Sequence, residues 1–353
     1  MMLQRPDSNT PNPERAPFAS VVVPCRNESG HIEKCLKNIL AQQSVHGGFE
    51  VIVADGRSED GTRDLVSKIA EGDSRVRLID NPGLIASTGL NAAIRAAKGR
   101  IIVRMDAHTE YSDDYINRCA ALLHRTGADN VGGPARTKGE TYMERAVRSA
   151  FHCPLVVGGA RFHNVDFEGY VDTVAYGCWP RQTFDQFGLF DEELVRNQDD
   201  EFNLRILRGG GRIWQSPDVK SWYHPRKTLG ALWTQYAQYG YWKVRVIQKH
   251  HLPASWRHIV PAGFLLTFAA TGALSLVSKM ALTLFALVSI SYTLVVLAAS
   301  IWSCFIGGWS SLPVLPVVVA CFQLGYGYGF LSGLWDFVVR RGGARQEFTQ
   351  LTR

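Results

Sequence analysis

One short stretch indicates both the fold and the chemistry of this chain, and it reads Ile101-Ile102-Val103-Arg104-Met105-Asp106-Ala107-His108. It is an apolar run of strand length that ends in a carboxylate and an imidazole two positions apart. In an extended chain residues i and i+2 point to the same side, so Asp106 and His108 can converge on one ion just past the strand. This pair suits Mn²⁺ or Mg²⁺, because such ions take few protein ligands while substrate phosphates supply oxygens. Taken alone, the pattern also fits a solvated turn.

Strands and helices alternate through the first half of the chain. Further apolar runs of strand length begin near residues 20, 49 and 76, and segments with helical spacing of apolar residues separate them. The alternation predicts a parallel, doubly wound α/β sheet. Polar residues follow three of the strands, at 26–28, at Asp55 and at Asp106 with His108. Because ligands of such sheets bind at the carboxyl ends of the strands, we expect these residues to form one site.

The composition changes sharply towards the end of the 353 residues, since 259–338 contains only two charged residues, Lys279 and Asp336. Three apolar segments there each reach the roughly 20 residues needed to cross a bilayer, which predicts a membrane protein. These segments are 259–277, 281–305 and 312–338. Basic residues flank the region on both sides, so the positive-inside rule puts both flanks in the cytosol and requires an even number of crossings. Either the first segment is re-entrant or interfacial, or the rule fails here.

The remaining regions are interpreted from composition. Residues 1–17 are polar and proline-rich without an apolar core, which predicts a disordered tail and a cytosolic N-terminal domain rather than a cleaved signal peptide. Seven cysteines without C-x-x-C spacing predict free thiols. Residues 228–258 are predicted to contain an amphipathic helix in the membrane interface, with a core-facing helix as the alternative. Residues 339–353 form a basic tail. The net charge of +6 is modest, and the basic residues before the first span fit a membrane anchor better than a nucleic-acid surface.

Four motifs together resemble the GT-A fold of family 2 glycosyltransferases. They are V-V-V-P-C-R-N-E at 21–28, A-D-G-R-S-E-D-G-T at 54–62, the pair Asp106 and His108, and Q-D-D-E at 198–201. Their order and spacing are those of the family over about 18–225. The D-A-H variant and the C-terminal spans resemble most the bacterial succinoglycan and exopolysaccharide branch. The resemblance implies a Rossmann-like, mostly parallel GT-A catalytic domain over 18–227, followed by α-helical transmembrane segments over 259–338.

The resemblance also assigns roles to matching positions. The residues that would bind the nucleotide sugar are Pro24, Arg26, Glu28, Asp55, Asp106, Trp179 and Arg226. Those that would hold Mn²⁺ or Mg²⁺ are Asp106, His108 and His224. Asp199 matches the family's catalytic base, although Gln198 replaces the usual Glu before it. Acids at 199–201 also open a predicted helix, where the helix dipole favours negative charge, and for Trp179 a place in the core is the alternative.

The resemblance implies a metal-dependent hexosyltransferase at the bacterial inner membrane, with its catalytic domain in the cytosol. A single apparent base, without a second carboxylate placed as a nucleophile, predicts one in-line displacement that inverts the anomeric centre. The predicted reaction moves one hexose, by family likeness glucose from UDP-glucose, to a polyprenyl-diphosphate-linked saccharide in exopolysaccharide biosynthesis. Membrane lipid and other polysaccharide-assembly enzymes are the further partners implied, and nucleic acid is not.

Three alternatives stay open at this point. A transferase acting directly on polyprenyl phosphate would need no base, because its acceptor is already an anion. A processive synthase is disfavoured because 238–242 lacks the Q-x-x-R-W motif. An inactive GT-A scaffold that recruits assembly partners would have no use for Asp55, Asp106, His108 and Asp199.

Overall fold

The computed structural model describes residues 16–43, 45–253 and 255–350. The tail predicted over 1–17 therefore lies outside the described residues, except for Ala16 and Pro17. All seven cysteines lie within the described residues and are free thiols, in line with the expectation from their spacing.

Eleven strands are found in the described part of the chain. They are β1 (Ala19–Cys25), β2 (Phe49–Asp55), β3 (Val76–Asp80), β4 (Ile101–Arg104), β5 (Thr109–Tyr111), β6 (Asn130–Gly133), β7 (Arg136–Thr137), β8 (Gly169–Tyr170), β9 (Ala175–Pro180), β10 (Ile213–Gln215) and β11 (Ser221–Tyr223).

Thirteen α-helices accompany them within the same described ranges. They are α1 (Ile32–Leu40), α2 (Thr62–Gly72), α3 (Ala86–Ala96), α4 (Tyr115–Thr126), α5 (Tyr142–Phe151), α6 (Pro154–Val157), α7 (Gln182–Phe187), α8 (Gln198–Arg208), α9 (Leu229–His250), α10 (Val260–Leu274), α11 (Lys279–Gly307), α12 (Leu315–Gly333) and α13 (Gln346–Thr349). A π-helical segment, Leu334–Val339, continues α12.

The main sheet has eight strands in the order β3-β2-β1-β4-β9-β6-β10-β8. Its first four strands are parallel, as the alternation of strands and helices predicted. β9 lies antiparallel between β4 and β6, so the second half of the sheet is mixed. A smaller sheet has the order β5-β11-β7. The architecture is a GT-A fold with a mostly parallel central sheet, which confirms the fold class expected from the sequence.

The central strands are apolar throughout because both faces of the sheet are covered. Val21 and Val23 pack in one hydrophobic cluster, and Val22 packs in another on the opposite face. All three side chains are completely buried, as expected for a parallel strand between two helical layers. The register pairs Cys25 with Asp55 and Val22 with Arg104, so the carboxyl ends of β1, β2 and β4 lie along one edge.

Two C-terminal helical segments are long and apolar enough to cross a membrane by length and composition, Lys279–Gly307 and Leu315–Val339. Large apolar side chains such as Met280 and Phe305 are exposed on α11, and such a surface requires an apolar partner. α10 has 15 residues, or about 22 Å of helix, less than the roughly 30 Å of a bilayer core. The first of the three predicted segments therefore does not form a helix of full spanning length. Its helix α10 begins at Val260, and the chain turns before Ser278, which caps α11.

α9 differs from the expected interfacial helix. About half of its residues are buried, including Gln238, Tyr241 and Lys243, and the helix packs closely on α12. A Cβ added at Gly329 would overlap the carbonyl oxygen of Ala237, and one added at Gly240 would overlap that of Tyr326. Glycines thus bring the two backbones into contact, and α9 is the core-facing helix of the alternative interpretation.

The C-terminal segment, predicted as a basic tail, folds back onto α9. Phe348 is buried and stacks on Tyr241 with ring centroids 4.0 Å apart. The indole of Trp242 donates a 2.9 Å hydrogen bond to the carbonyl of Phe348. Asp336, one of the two charged residues in the apolar region, accepts a 2.6 Å hydrogen bond from Arg345. The buried carboxylate of Asp336 is thereby paired with the guanidinium of Arg345, which belongs to the C-terminal segment.

Candidate active site

A cavity of about 1460 Å³ opens at the carboxyl ends of β1 and β4. Eight of the ten site residues predicted from the sequence line it. These are Pro24, Arg26, Glu28, Asp106, His108, Asp199, His224 and Arg226. The parallel register of β1, β2 and β4 explains why residues from distant parts of the chain converge there. Asp55 and Trp179 do not line this cavity.

Asp106 is held by an arginine that the sequence analysis did not single out. Arg104 donates from Nε to Oδ1 at 2.8 Å and from Nη2 to Oδ2 at 2.9 Å. Its side chain is only 8% exposed. Burial opposes ionisation of Asp106, but the Arg104 guanidinium outweighs it and lowers the pKa of the carboxyl group. A charged residue inside an apolar strand is rare, and this signal could have identified Arg104.

Arg104 also approaches the predicted base. Its Nη1 lies 3.9 Å from Oδ2 of Asp199. Asp199 lies in the first turn of α8, two residues after Asn197, whose backbone is in the left-handed region at φ 62°. Its side chain is 45% exposed, so an acceptor can reach it. Arg104 therefore lies between the predicted metal ligand and the predicted base.

The other two acids of the Asp199–Asp200–Glu201 run have partners of their own. Asp200 forms an ion pair with Lys243 of α9. Glu201 is buried and pairs with Arg205 at 2.7 Å. Within this run, Asp199 is the carboxylate that approaches Arg104 at the strand edge.

The predicted metal ligands are only partly brought together. His108 Nδ1 lies 3.3 Å from Glu28 Oε1, whereas His224 Nε2 lies 3.6 Å from Glu110 Oε1. No group of three or more His, Cys, Asp or Glu side chains that could hold a metal ion is found among the described residues. Within the described residues, Asp106, His108 and His224 are therefore not gathered into one cluster, and their role as metal ligands stays a prediction. The ionised Asp106 and half-exposed His108 still fit an ion that takes its other ligands from a diphosphate.

Asp55 is completely buried beside the cavity edge. Its carboxylate accepts 2.6 Å and 3.3 Å hydrogen bonds from the Ser58 hydroxyl and from Arg63. The role expected for it, accepting a hydrogen bond from a nucleotide base, stays a prediction. That role requires a base to approach a carboxylate already held by two side chains.

Trp179 lies in the core, as in the alternative interpretation, and its expected role in binding the nucleotide sugar stays a prediction. Trp179 is 2% exposed and packs among Phe184, Phe190 and Phe202. The reason is its register in β9, where it pairs with Ile102 and points into the hydrophobic cluster on that face. Tyr176 of the same strand lines the cavity instead, and its hydroxyl lies 2.7 Å from the hydroxyl of Thr109.

The cavity extends from the strand edge to the apolar helices. We call the part near Arg104, Asp106, His108 and Asp199 the strand-edge half. We call the part between α9, α10, α11 and α12 the membrane half. Its apolar wall includes Phe264, Val288, Tyr292 and Phe322, and its basic residues are Lys243 and Arg257. Polar and apolar surfaces thus share one space.

The fold is that of the GT-A class of glycosyltransferases. Residues 20–179 match the family model described as Glycosyl transferase family 2, so the chain carries a domain of that family. The mannosyltransferase PcManGT from Pyrobaculum calidifontis, solved in complex with GDP-Man and Mn2+, superimposes with a TM-score of 0.58. It is 22% identical, and the match covers 94% of this chain and 91% of that one. At this identity the likeness shows the fold.

Two relatives match nearly the full length of the chain. Succinoglycan biosynthesis protein ExoA of Rhizobium meliloti (strain 1021) is 28% identical, over 90% of this chain and 95% of that protein. The second relative is from Methanococcus voltae and is named dolichyl N-acetyl-alpha-D-glucosaminyl phosphate 3-beta-D-2,3-diacetamido-2,3-dideoxy-beta-D-glucuronosyltransferase. It is 25% identical, and the match covers 90% of this chain and 97% of that protein. The chain is therefore a glycosyltransferase related to exopolysaccharide and lipid-linked sugar transferases.

Proposed function

We propose that the protein is a membrane-anchored, metal-dependent, inverting hexosyltransferase that moves one sugar from a UDP-linked donor to a polyprenyl-diphosphate-linked saccharide. The observation that carries this proposal is the cavity shared by the strand-edge half and the membrane half. A nucleotide sugar needs polar and charged partners, whereas a polyprenyl chain needs apolar walls. One space with both kinds of wall suits a reaction between the two.

The relatives support this choice of acceptor. One is named for succinoglycan biosynthesis and the other for transfer to a sugar carried on dolichyl phosphate. A product assembled on a lipid and used in exopolysaccharide biosynthesis is consistent with both names. The choice of glucose as the sugar and of UDP as the nucleotide rests on likeness to the family.

The proposal gives each residue of the strand-edge half a role. Asp106 and His108 would hold Mn²⁺ or Mg²⁺, which when bound neutralises the charge of the departing diphosphate. Asp199 accepts the proton of the acceptor hydroxyl, whose oxygen attacks the anomeric carbon from the face opposite the diphosphate. Arg104 keeps Asp106 ionised and in place. The new glycosidic bond forms as the bond to the diphosphate breaks, so the configuration inverts.

The same proposal gives an arrangement in a bilayer. α11 and α12 cross it, and the shorter α10 lies at the cytosolic interface. Two crossings put the catalytic domain and the C-terminal segment on the same side, which agrees with the basic residues on both flanks. A cytosolic catalytic domain has access to nucleotide sugars.

The test uses the full chain purified in a mild detergent with UDP-glucose, Mn²⁺ or Mg²⁺, and polyprenyl-linked saccharides extracted from bacteria. Mass spectrometry of the lipid product should show an increment of one hexose. The increment should require the metal and disappear in Asp106→Ala and Asp199→Asn. The variant Asp218→Asn, which changes an exposed carboxylate, is the control.

Other outcomes identify the alternatives. Transfer to bare polyprenyl phosphate that survives Asp199→Asn would contradict the proposed acceptor and base. A long polymer made from donor alone would indicate a processive synthase. An absence of both transfer and donor hydrolysis with every donor and acceptor tested would favour an inactive scaffold.

A further inference from the structure

The membrane half contains a polar pocket where α9, α10 and α12 meet. Gly240 allows α9 to contact the backbone of Tyr326 on α12, and a Cβ added at Gly327 would lie 2.8 Å from the carbonyl oxygen of Pro261 on α10. These contacts bring together side chains that are far apart in sequence. We call Lys243, Arg257, His258 and Tyr326 the head-group pocket, and all four line the cavity.

Two cations of the head-group pocket retain donors for a ligand. Lys243 is 4% exposed and pairs with Asp200. Arg257 Nη2 donates to Asp172 at 2.6 Å. Within the described residues neither cation makes a second hydrogen bond. An ammonium has three N–H donors and a guanidinium five, so both groups can bind an additional acceptor.

Three buried polar atoms at this place have no hydrogen-bond partner among the described residues. They are Nδ1 of His163, Nδ1 of His258 and the hydroxyl of Tyr326. Buried polar atoms are usually paired, because leaving one unpaired destabilises the protein. His163 also lines the cavity. A polar ligand would satisfy these atoms.

The charges favour an anionic ligand over a cationic one. Burial and, to a smaller extent, the nearby Lys243 and Arg257 together lower the pKa of His258 to about 3. Burial likewise lowers the pKa of His163 to about 3. Both imidazoles are therefore neutral at physiological pH, and each can donate one N–H. An anion with several oxygens can accept from them and from both cations.

The apolar wall adjoins the pocket directly. Pro261 and Phe264 follow Arg257 and His258 along the chain, and Tyr292 and Phe322 line the same cavity. We infer that the head-group pocket binds the phosphate groups of a lipid-linked acceptor, with the hydrocarbon chain between α10, α11 and α12. This inference rests on the proposed function. Lys243 pairs with Asp200, the residue next to Asp199, so a phosphate held there would place the attached sugar near the base.

Binding is measured with the full chain in a nonionic detergent, by isothermal titration calorimetry. The probe is farnesyl diphosphate in the presence of EDTA, because removing divalent ions weakens diphosphate binding at Asp106 and His108. The variants are Lys243→Gln and Arg257→Gln, with Arg257→Lys as the conservative substitution. Arg245→Gln is the matched control, because Arg245 lies on α9, pairs with Glu193 at 2.6 Å and does not line the cavity. Binding of UDP with Mn²⁺ shows that each variant is folded.

We expect the two glutamine variants to weaken binding of farnesyl diphosphate by about tenfold, because each loses hydrogen bonds to a charged group. Arg257→Lys should restore part of the affinity. Binding of UDP should stay unchanged in every variant, and the control should bind both probes as the unmodified protein does. Inorganic pyrophosphate and dispersed phosphatidylglycerol should bind more weakly than farnesyl diphosphate.

Several outcomes would overturn the inference. Unchanged affinity in both glutamine variants would show that the cations do not bind the phosphate. If pyrophosphate binds as tightly as farnesyl diphosphate, the pocket is a site for free phosphate. If phosphatidylglycerol binds as tightly as farnesyl diphosphate, the pocket is a site for bulk lipid. A loss caused by Asp106→Ala alone would place the probe in the strand-edge half. If the glutamine variants lose binding but no sugar transfer is found, the pocket is supported and the proposed function fails separately.

Discussion

The two halves of the cavity are assembled in different ways. In the strand-edge half, Arg104, Asp106 and His108 follow one another at intervals of two residues, at the end of β4 and in the turn after it. In the membrane half, Lys243, Arg257 and Tyr326 come from different helical segments that meet through glycine contacts. The first arrangement depends on local geometry, and the second depends on how closely three helices pack. The halves should therefore respond to different substitutions.

The largest expected effect is in the strand-edge half. Asp199→Asn should lower turnover by about 10²–10⁴-fold, because the acceptor hydroxyl loses its base. Binding of UDP and of the lipid acceptor should be unchanged. Single-turnover transfer at saturating substrates measures the chemical step, with Asp218→Asn as the control. A rate within a few-fold of the unmodified enzyme would show that another group takes the proton.

The next effect tests Arg104. Arg104→Met should destabilise the protein by about 3–5 kcal/mol, because it leaves the buried Asp106 without its cation. Metal-dependent binding of UDP should weaken as well. Arg104→Lys should recover only part of the stability and part of the UDP affinity, because an ammonium cannot form the two parallel hydrogen bonds of the guanidinium. Chemical denaturation and UDP titration provide the measurements.

The control for Arg104 is Arg118→Met, which removes an exposed cation paired with Asp114. It should leave stability and binding close to those of the unmodified protein. Equal losses of stability and of UDP binding in Arg104→Met and Arg118→Met would contradict a special role for the ion pair of Arg104 and Asp106.

A smaller effect is expected where α9 packs on α12, and it tests whether the two halves of the cavity bind their ligands independently. Gly329→Ala should push α9 away from α12, because the added methyl group overlaps the carbonyl of Ala237. Overpacking of this kind costs about 1–3 kcal/mol. We expect weaker binding of farnesyl diphosphate and slower transfer, with binding of UDP retained. Gly263→Ala is the matched control, since a Cβ there has no neighbour within 4 Å. Equal losses of UDP and lipid binding would show that the halves are not independent.

The smallest expected effect concerns pH. Burial lowers the pKa of Lys243 to about 8, so the ammonium is present below that pH and is lost above it. The apparent KM for the lipid acceptor should therefore rise with pH above about 8, by at most about tenfold per pH unit. The titratable groups facing Lys243 are Asp172, Asp199, Asp200, Arg257 and His258.

The variant Lys243→Gln tests the assignment of that pH dependence. It should have a higher KM for the acceptor that no longer changes near pH 8, while the KM for the donor stays constant in both proteins. A rise in KM that persists in Lys243→Gln would assign the titration to another group.

Much of the strand-edge half was predictable. Four parallel strands and eight cavity-lining residues follow from apolar runs and from the polar residues after them. The positions that the sequence did not reveal there are those of side chains whose surroundings are not local. Trp179 faces the core because β9 pairs antiparallel with β4, and no pattern within 175–180 reveals that partner. His224 is next to Glu110 because β11 pairs with β5.

The membrane half was less predictable. Hydropathy identified the apolar region, but the length of α10 and the burial of α9 depend on where glycines let helices approach. The folded-back C-terminal segment was also missed, because a basic composition does not show that Phe348 will stack on Tyr241.

The sequence by itself therefore determined the fold class, the strand edge that carries the chemistry and the apolar character of the C-terminal region. These follow from the periodicity of strands and helices and from hydropathy, which act over a few neighbouring residues. The approach of Arg104 to Asp199, the place of Trp179 and the meeting of Lys243, Arg257 and Tyr326 were set by tertiary packing. They depend on strand pairing and helix contact between segments far apart in the chain, and no local pattern records which segments those are.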